Sequence, residues 1–133
     1  VLAHRETVGS TIEQLMEVGI EVSLFLDPIE EQIRVANELQ AAGVEVHTGQ
    51  YALARPGKER DAELARIATA GALIRDLGME FHAGHGLTYR NVKPIAQLDG
   101  ISELNIGHSI ISRAVFVGLT EATRSMKALL SEA

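Results

Sequence analysis

Two histidines stand three residues apart in "EFHAGHGLTYRN", from Glu80 to Asn91, with glycines beside them and a polar loop behind. Such a stretch could hold a metal ion, cradle a phosphate or move protons. Residues three apart on a straight strand point to opposite faces, so His82 and His85 could share a metal only if the chain bends at Gly84. A helix would remove that obstacle, but Gly84 and Gly86 argue against a helix here. Asp27, Glu45, His47, His82, His85 and His108 offer nitrogen and oxygen ligands at strand ends, as metal-dependent barrel enzymes do. No motif with ligand spacing joins them, and no metal is expected. His82 reads as a hydrogen-bonded interior histidine. His85 lies one residue beyond a strand, between glycines that let a ligand approach the backbone, and imidazole is the side chain suited to giving or taking a proton at neutral pH.

Three further places carry chemistry. Glu45 and His47 fall on the same side of an alternating segment, and an inward carboxylate beside a histidine implies a polar cavity or a structural salt link. Asp27 closes a strand and precedes Pro28, where capping a helix competes with a catalytic role. "NIGHSII", Asn105 to Ile111, ends one strand and opens a helix. There Gly107 and His108 stand where the free N–H groups of a first helical turn bind phosphate. Arg90 and Arg113 could assist, although solvated positions suit both. Tyr89 and Phe116 read as packing residues, and "GKERDAE" as a solvated helix start.

The elements that must position these residues alternate strictly. "TIEQLMEVG", Thr11 to Gly19, has helical spacing in Ile12, Leu15 and Met16 and a glycine to stop it. The strand "EVSLFLD" follows, then a helix after Pro28 carrying Ile29, Ile33, Val35, Ala36 and Leu39. The strand "VEVHTG" leads through a loop, Gln50 to Gly57, into a long amphipathic helix from Lys58 to Leu77. The strand "MEFHAG", the loop "HGLTYRN", a short helix "VKPIAQL", the strand "SELNIG" and one last helix from Ser109 to Ser131 complete the order.

Four strands separated by helices imply a parallel sheet with right-handed crossovers. Doubly wound strands are covered on both faces and read as continuous apolar runs. Here Val44 and Val46 alternate with Glu45 and His47, and Phe81 and Ala83 with His82 and Gly84. A polar face directed inward near the carboxyl ends of strands is the pattern of a (β/α)8 barrel. Four strands cannot close such a barrel, so the chain reads as a single domain, residues 1–133, forming half of one, with edges that need partner strands.

Composition sets wider bounds. The 133 residues suffice for one domain of ordinary size, and 46% hydrophobic with 23% charged residues is the balance of a globular chain. No apolar run is long enough for a membrane helix, and "VLAHRETVGS" lacks the apolar core of a signal peptide. With no cysteine, disulfides and thiolate chemistry are excluded, which fits the cytoplasm. A net charge of −6 without a Lys/Arg run argues against nucleic acid, so any anion must be held by local features such as backbone dipoles.

"GIEVSLFLD", "VEVHTGQYA", "AGHGLTYRNV" and "ELNIGHSIISRAVFVGL", in this order, resemble the carboxyl-terminal half of the pyridoxine 5'-phosphate synthase family. The resemblance covers nearly the whole chain from Gly19. It implies a (β/α)8 TIM barrel in which these segments are strands 5 to 8. It also implies condensation of 1-deoxy-D-xylulose 5-phosphate with 3-amino-2-oxopropyl phosphate to pyridoxine 5'-phosphate, phosphate and water, without metal or organic cofactor. By the same resemblance His85 is the proton donor, Glu45 a carboxylate stabilising charged intermediates, and Gly86, Gly107 and His108 contacts to substrate phosphate. An octamer built from dimers is implied as well.

The family's amino-terminal half, which supplies a histidine and a glutamate as bases, has no counterpart here, and His82 stands where a smaller polar residue is expected. The chain begins with Val1 rather than Met, and is expected to be an excerpt that is inactive alone and prone to associate. A non-catalytic half-barrel serving assembly or phosphate binding is the competing expectation, and a metal-dependent barrel enzyme a third.

Overall fold

Alternating residues decide the sheet. In the computed structural model, which describes residues 1–131, β1 (Ser23–Leu26), β2 (Gly43–His47), β3 (Glu80–Gly84) and β4 (Ile101–Asn105) form one parallel sheet in the order β1-β2-β3-β4. Leu26, Val44, Val46, Phe81 and Ala83 are buried on one face, together with Ile33, Ile67 and Ile74 from the helices that cover it. Those helices are α2 (Glu30–Glu38) against β1 and α4 (Lys58–Asp76) against β2 and β3. Ser23, Phe25, Glu45, His47, His82, Glu103 and Asn105 line the other face, and none of them is fully buried. Sequential strand order with one helix-covered face is consistent with a fragment of a (β/α)8 barrel, and differs from a doubly wound sheet, which is covered on both faces. Among the described residues β1 and β4 each pair on one side only.

Register carries the inward residues into rows. Phe25 pairs with Glu45, Glu45 with His82, and His82 with Glu103; one step along, His47 pairs with Gly84 and Gly84 with Asn105. Phe81 pairs with Ile101, so Ser102 is an extra residue in β4, a bulge whose hydroxyl donates to the Phe81 carbonyl at 3.2 Å.

Helix ends follow local chemistry. α1 (Arg5–Glu17), preceded by a 3-10 turn at Leu2–His4, begins earlier than the expected Thr11. It stops where Gly19 takes φ +77° and donates its N–H to the Met16 carbonyl. Three expectations are corrected. The loop from Gln50 to Gly57 contains a short helix, α3 (Gly49–Leu53), because Tyr51 is drawn into the core and its hydroxyl donates to the Asn91 carbonyl at 2.7 Å. The last helix is two helices, α6 (His108–Val117) and α7 (Leu119–Ser131), broken at Gly118 with φ +81°. The break turns α7 back to pack against α5 (Val92–Ala96) and buries Ala122 and Met126. It also leaves Phe116 87% exposed, so Phe116 is not the packing residue expected. No helix among the described residues is long and apolar enough to cross a membrane.

Candidate active site

The five residues to which the resemblance assigns roles border one cleft at the carboxyl ends of the strands; Asp27, His47, His82, Arg90 and Arg113 are not in its lining. Glu45, His85, Gly86, Gly107 and His108 line it with Phe25, Leu87, Asn105 and Ile106, around a volume of about 560 Å³. A groove of about 600 Å³ on the outer side, between α2 and α4, is lined by helix surface such as Arg34, Ala65 and Asp76. It collects no histidine and has no strand end in it.

The turn after β3 is built by strained backbone and borrowed donors. His85 takes φ +82° and Gly86 φ +73°. A left-handed conformation is uncommon for a residue with a Cβ and persists only where its surroundings impose it. Here four consecutive carbonyls are held by side chains. Thr48, fully buried, shares its hydroxyl proton between the carbonyls of Gly84 at 2.7 Å and His85 at 2.5 Å, and its N–H also donates to Gly84 at 2.8 Å. Asn91 donates to Gly86 at 3.1 Å and Ser109 to Leu87 at 2.8 Å. The Asn91 side-chain oxygen meanwhile accepts from the N–H and hydroxyl of Thr88.

Three rings meet beside the turn. The His47 and His85 centroids lie 4.8 Å apart, edge to face, and Phe25 lies 5.1 Å from His47. Asp27 Oδ1 accepts from His47 Nδ1 at 2.9 Å, which fixes the proton on that nitrogen. The Asp27 side chain caps no helix, since α2 has no side-chain cap. Gly49 makes the ring contact possible, because a Cβ there would fall 2.6 Å from His47 Nε2.

Glu45 occupies the floor. Its Oε2 accepts from Asn105 Nδ2 at 3.1 Å, and the same amide donates to Glu103 at 3.1 Å. Burial pushes the Glu45 carboxyl above the usual carboxylate range and the charge of Glu103 adds to this, while His82, His47 and His85 pull the other way. Gly84 leaves room for it, since a Cβ there would displace the Glu45 carboxylate from its present position and press on Asn105 at 3.0 Å. His82 lies in the same row, with Nδ1 3.4 Å from the Ser23 hydroxyl, as a partnered interior histidine.

The second Gly-His pair differs in form. Gly107 precedes α6, a Cβ on it would meet nothing, and His108 is the first helical residue. The N–H groups of a first helical turn have no intrahelical carbonyl to bind, and Gly107 and His108 border the cleft. Arg113 does not reach in; its guanidinium lies 5.3 Å over the Tyr89 ring, whose hydroxyl donates to the Ala122 carbonyl. Among the described residues no three His, Asp or Glu side chains gather where a metal ion could be held.

The chain that carries this cleft is similar to known proteins. Residues 1–132 match the family model described as pyridoxal phosphate biosynthesis protein PdxJ. The chain belongs to the PdxJ family. It is 54% identical over 123 residues to a pyridoxine 5'-phosphate synthase of Rhodopirellula baltica, covering 92% of this chain and 50% of that protein. It is 50% identical to the protein of that name from Dechloromonas aromatica, covering 100% of this chain and 56% of the relative, and 49% identical to that from Citrifermentans bemidjiense, covering 98% and 54%. The chain spans about half the length of the curated relatives it matches.

In this PdxJ-family chain the sequence reading missed the residues that hold the site rather than line it: Thr48, Asn91 and Ser109, with Asn105 noted only as polar. One signal was available. Thr88 and Asn91, three apart in a polar loop, have the spacing at which a polar side chain reaches back to the N–H that opens a helix. Thr48 has no such local mark, since its partners lie 36 and 37 residues away.

Proposed function

We propose that the chain is the carboxyl-terminal half of a (β/α)8 barrel, a single unit over residues 1–133 supplying strands 5 to 8 of a pyridoxine 5'-phosphate synthase. The observation that carries the proposal is the convergence of Glu45, His85, Gly86, Gly107 and His108 on one cleft. The relatives' shared name supports it. In this reading the amine of 3-amino-2-oxopropyl phosphate condenses with the ketone of 1-deoxy-D-xylulose 5-phosphate, losing water. Ring closure then expels inorganic phosphate and further water. Each loss needs a proton delivered to the departing oxygen, and His85 is the donor, held at the mouth of the cleft by its turn. Glu45 stabilises cationic nitrogen intermediates from the floor, its partial burial strengthening that attraction. Gly86, Gly107 and His108 take a substrate phosphate through backbone N–H groups and the α6 dipole, which reconciles anion binding with an acidic chain.

The amino-terminal half-barrel supplies the remaining bases and pairs with the free edges of β1 and β4. The complete enzyme is a cytoplasmic homo-oligomer, an octamer in the family pattern, and needs no added cofactor. The test is His85→Ala in the complete enzyme. Product formation should fall by about 10²- to 10⁴-fold with the circular dichroism spectrum unchanged; near-normal turnover would remove His85 from the role. Absence of turnover in the unsubstituted chain, even when the missing half is supplied, would instead favour a non-catalytic module.

A further inference from the structure

We infer that Thr48 is a positioning residue for anion binding: by holding the Gly84 and His85 carbonyls it aims the Gly86 N–H at the phosphate site beside α6. The argument begins with the peptide bond. All peptide bonds described are trans, and in a trans peptide the C=O and the following N–H point in opposite directions. The His85 carbonyl points at Thr48, just past the end of β2. The Gly86 N–H must therefore point away from β2. Because β3 lies between β2 and β4, that direction leads to the side where β4 gives way to Gly107 and His108. Gly86, Gly107 and His108 border the same cleft.

The neighbouring bonds leave little freedom for another arrangement. The Gly84 carbonyl is held by Thr48, and the Gly86 and Leu87 carbonyls by Asn91 and Ser109, so the turn is tied on both sides of the peptide in question. Thr48 is the only one of these donors that acts on the His85–Gly86 peptide itself. It is fully buried and is not among the residues that line the cleft, although it bonds directly to one of them, His85. Its effect passes through the backbone, and the same hydroxyl stabilises the left-handed φ at His85 that sets where the imidazole projects.

The identity of the anion as a substrate phosphate rests on the proposed function; the geometry of the peptide does not. The experiment follows the amide resonance of Gly86 during titration of the intact protein with inorganic phosphate, in the unsubstituted protein, Thr48→Ser and Thr48→Val. The unsubstituted protein and Thr48→Ser, which keeps the hydroxyl, should give the same saturable shift. Thr48→Val should bind phosphate about tenfold more weakly, the loss of one hydrogen bond to a charged group, and should raise KM for the phosphorylated substrates. Equal phosphate affinity in Thr48→Val, or no response at Gly86 in the unsubstituted protein, would overturn the inference. Should Thr48→Val not fold, Thr48→Ala, which also lacks the hydroxyl, decides by the same outcomes: about tenfold weaker phosphate binding supports the inference and unchanged affinity overturns it. Turnover of the unsubstituted enzyme is assayed separately, and its failure would refute the family reaction without altering the phosphate result.

Discussion

The chain ends two successive strands with the same dipeptide and makes opposite structures from it. After β3, Gly84 and His85 enter a tight turn in which the histidine itself adopts φ +82°. After β4, Gly107 and His108 run straight into a helix, with Gly107 at φ −107°. What differs is the next residue and the neighbour behind. Gly86 continues the first turn in the left-handed region while Thr48 holds its carbonyls; Ser109 continues a helix and sends its hydroxyl back to Leu87. The first pair thus sits in a left-handed turn, and the second opens a helix.

Substituting the glycines tests this contrast most sharply. Gly86→Ala combines a left-handed φ with a Cβ 2.7 Å from that of Ala52, and should cost about 1–3 kcal/mol in denaturant unfolding. A loss below the scatter of such measurements would mean that the turn is not held as described. A smaller effect is expected at Glu45, beneath the first pair. Its carboxyl is raised by burial first and by Glu103 second, so the folded chain holds that proton more tightly than the unfolded chain does. Stability therefore falls as pH rises from the usual carboxylate range through the raised value, and the deficit persists at neutral pH. Glu45→Gln should remove it, raising the melting temperature at neutral pH and leaving it unchanged in acid. Because the side chain is partly solvated the gain stays below about 1 kcal/mol, and a lower melting temperature at neutral pH would contradict the assignment. Gly107→Ala should change stability least, within about 0.5 kcal/mol, since its φ is ordinary and its Cβ would meet open space. A large loss there would erase the distinction between the two pairs.

Much of this arrangement was legible from residue alternation. The period of two in "VEVH" and "EFHAG" separated a helix-covered face from a polar one, and strand ends then gathered Glu45, His85, Gly86, Gly107 and His108 at one cleft. What escaped depends on contacts distant in sequence. Tyr51 turns an expected loop into a helix by reaching Asn91, and nothing near residue 51 reports that partner. Gly118 breaks an amphipathic run that otherwise reads as one helix, because a glycine inside a helix and one at its end look alike until the following helix is seen to turn back. Asp27 stood between capping and catalysis until His47, on the adjacent strand, took its carboxylate.

The bulge in β4 governs which groups share the cavity. Pairing on a strand obeys odd and even: a shift by one position exchanges its two faces, a shift by two restores them. Ser102 is the single odd step in this sheet. It lets Ile101, opposite Phe81, and Leu104, opposite Ala83, both meet the helices although they stand three apart, and it sends Asn105 to the opposite face to reach Glu45. Without that step Glu103 would stand opposite Ala83, a carboxylate turned toward the core, and the amide that tethers Glu45 would change sides. The chemistry of the floor is thus set by one inserted serine that takes no part in it.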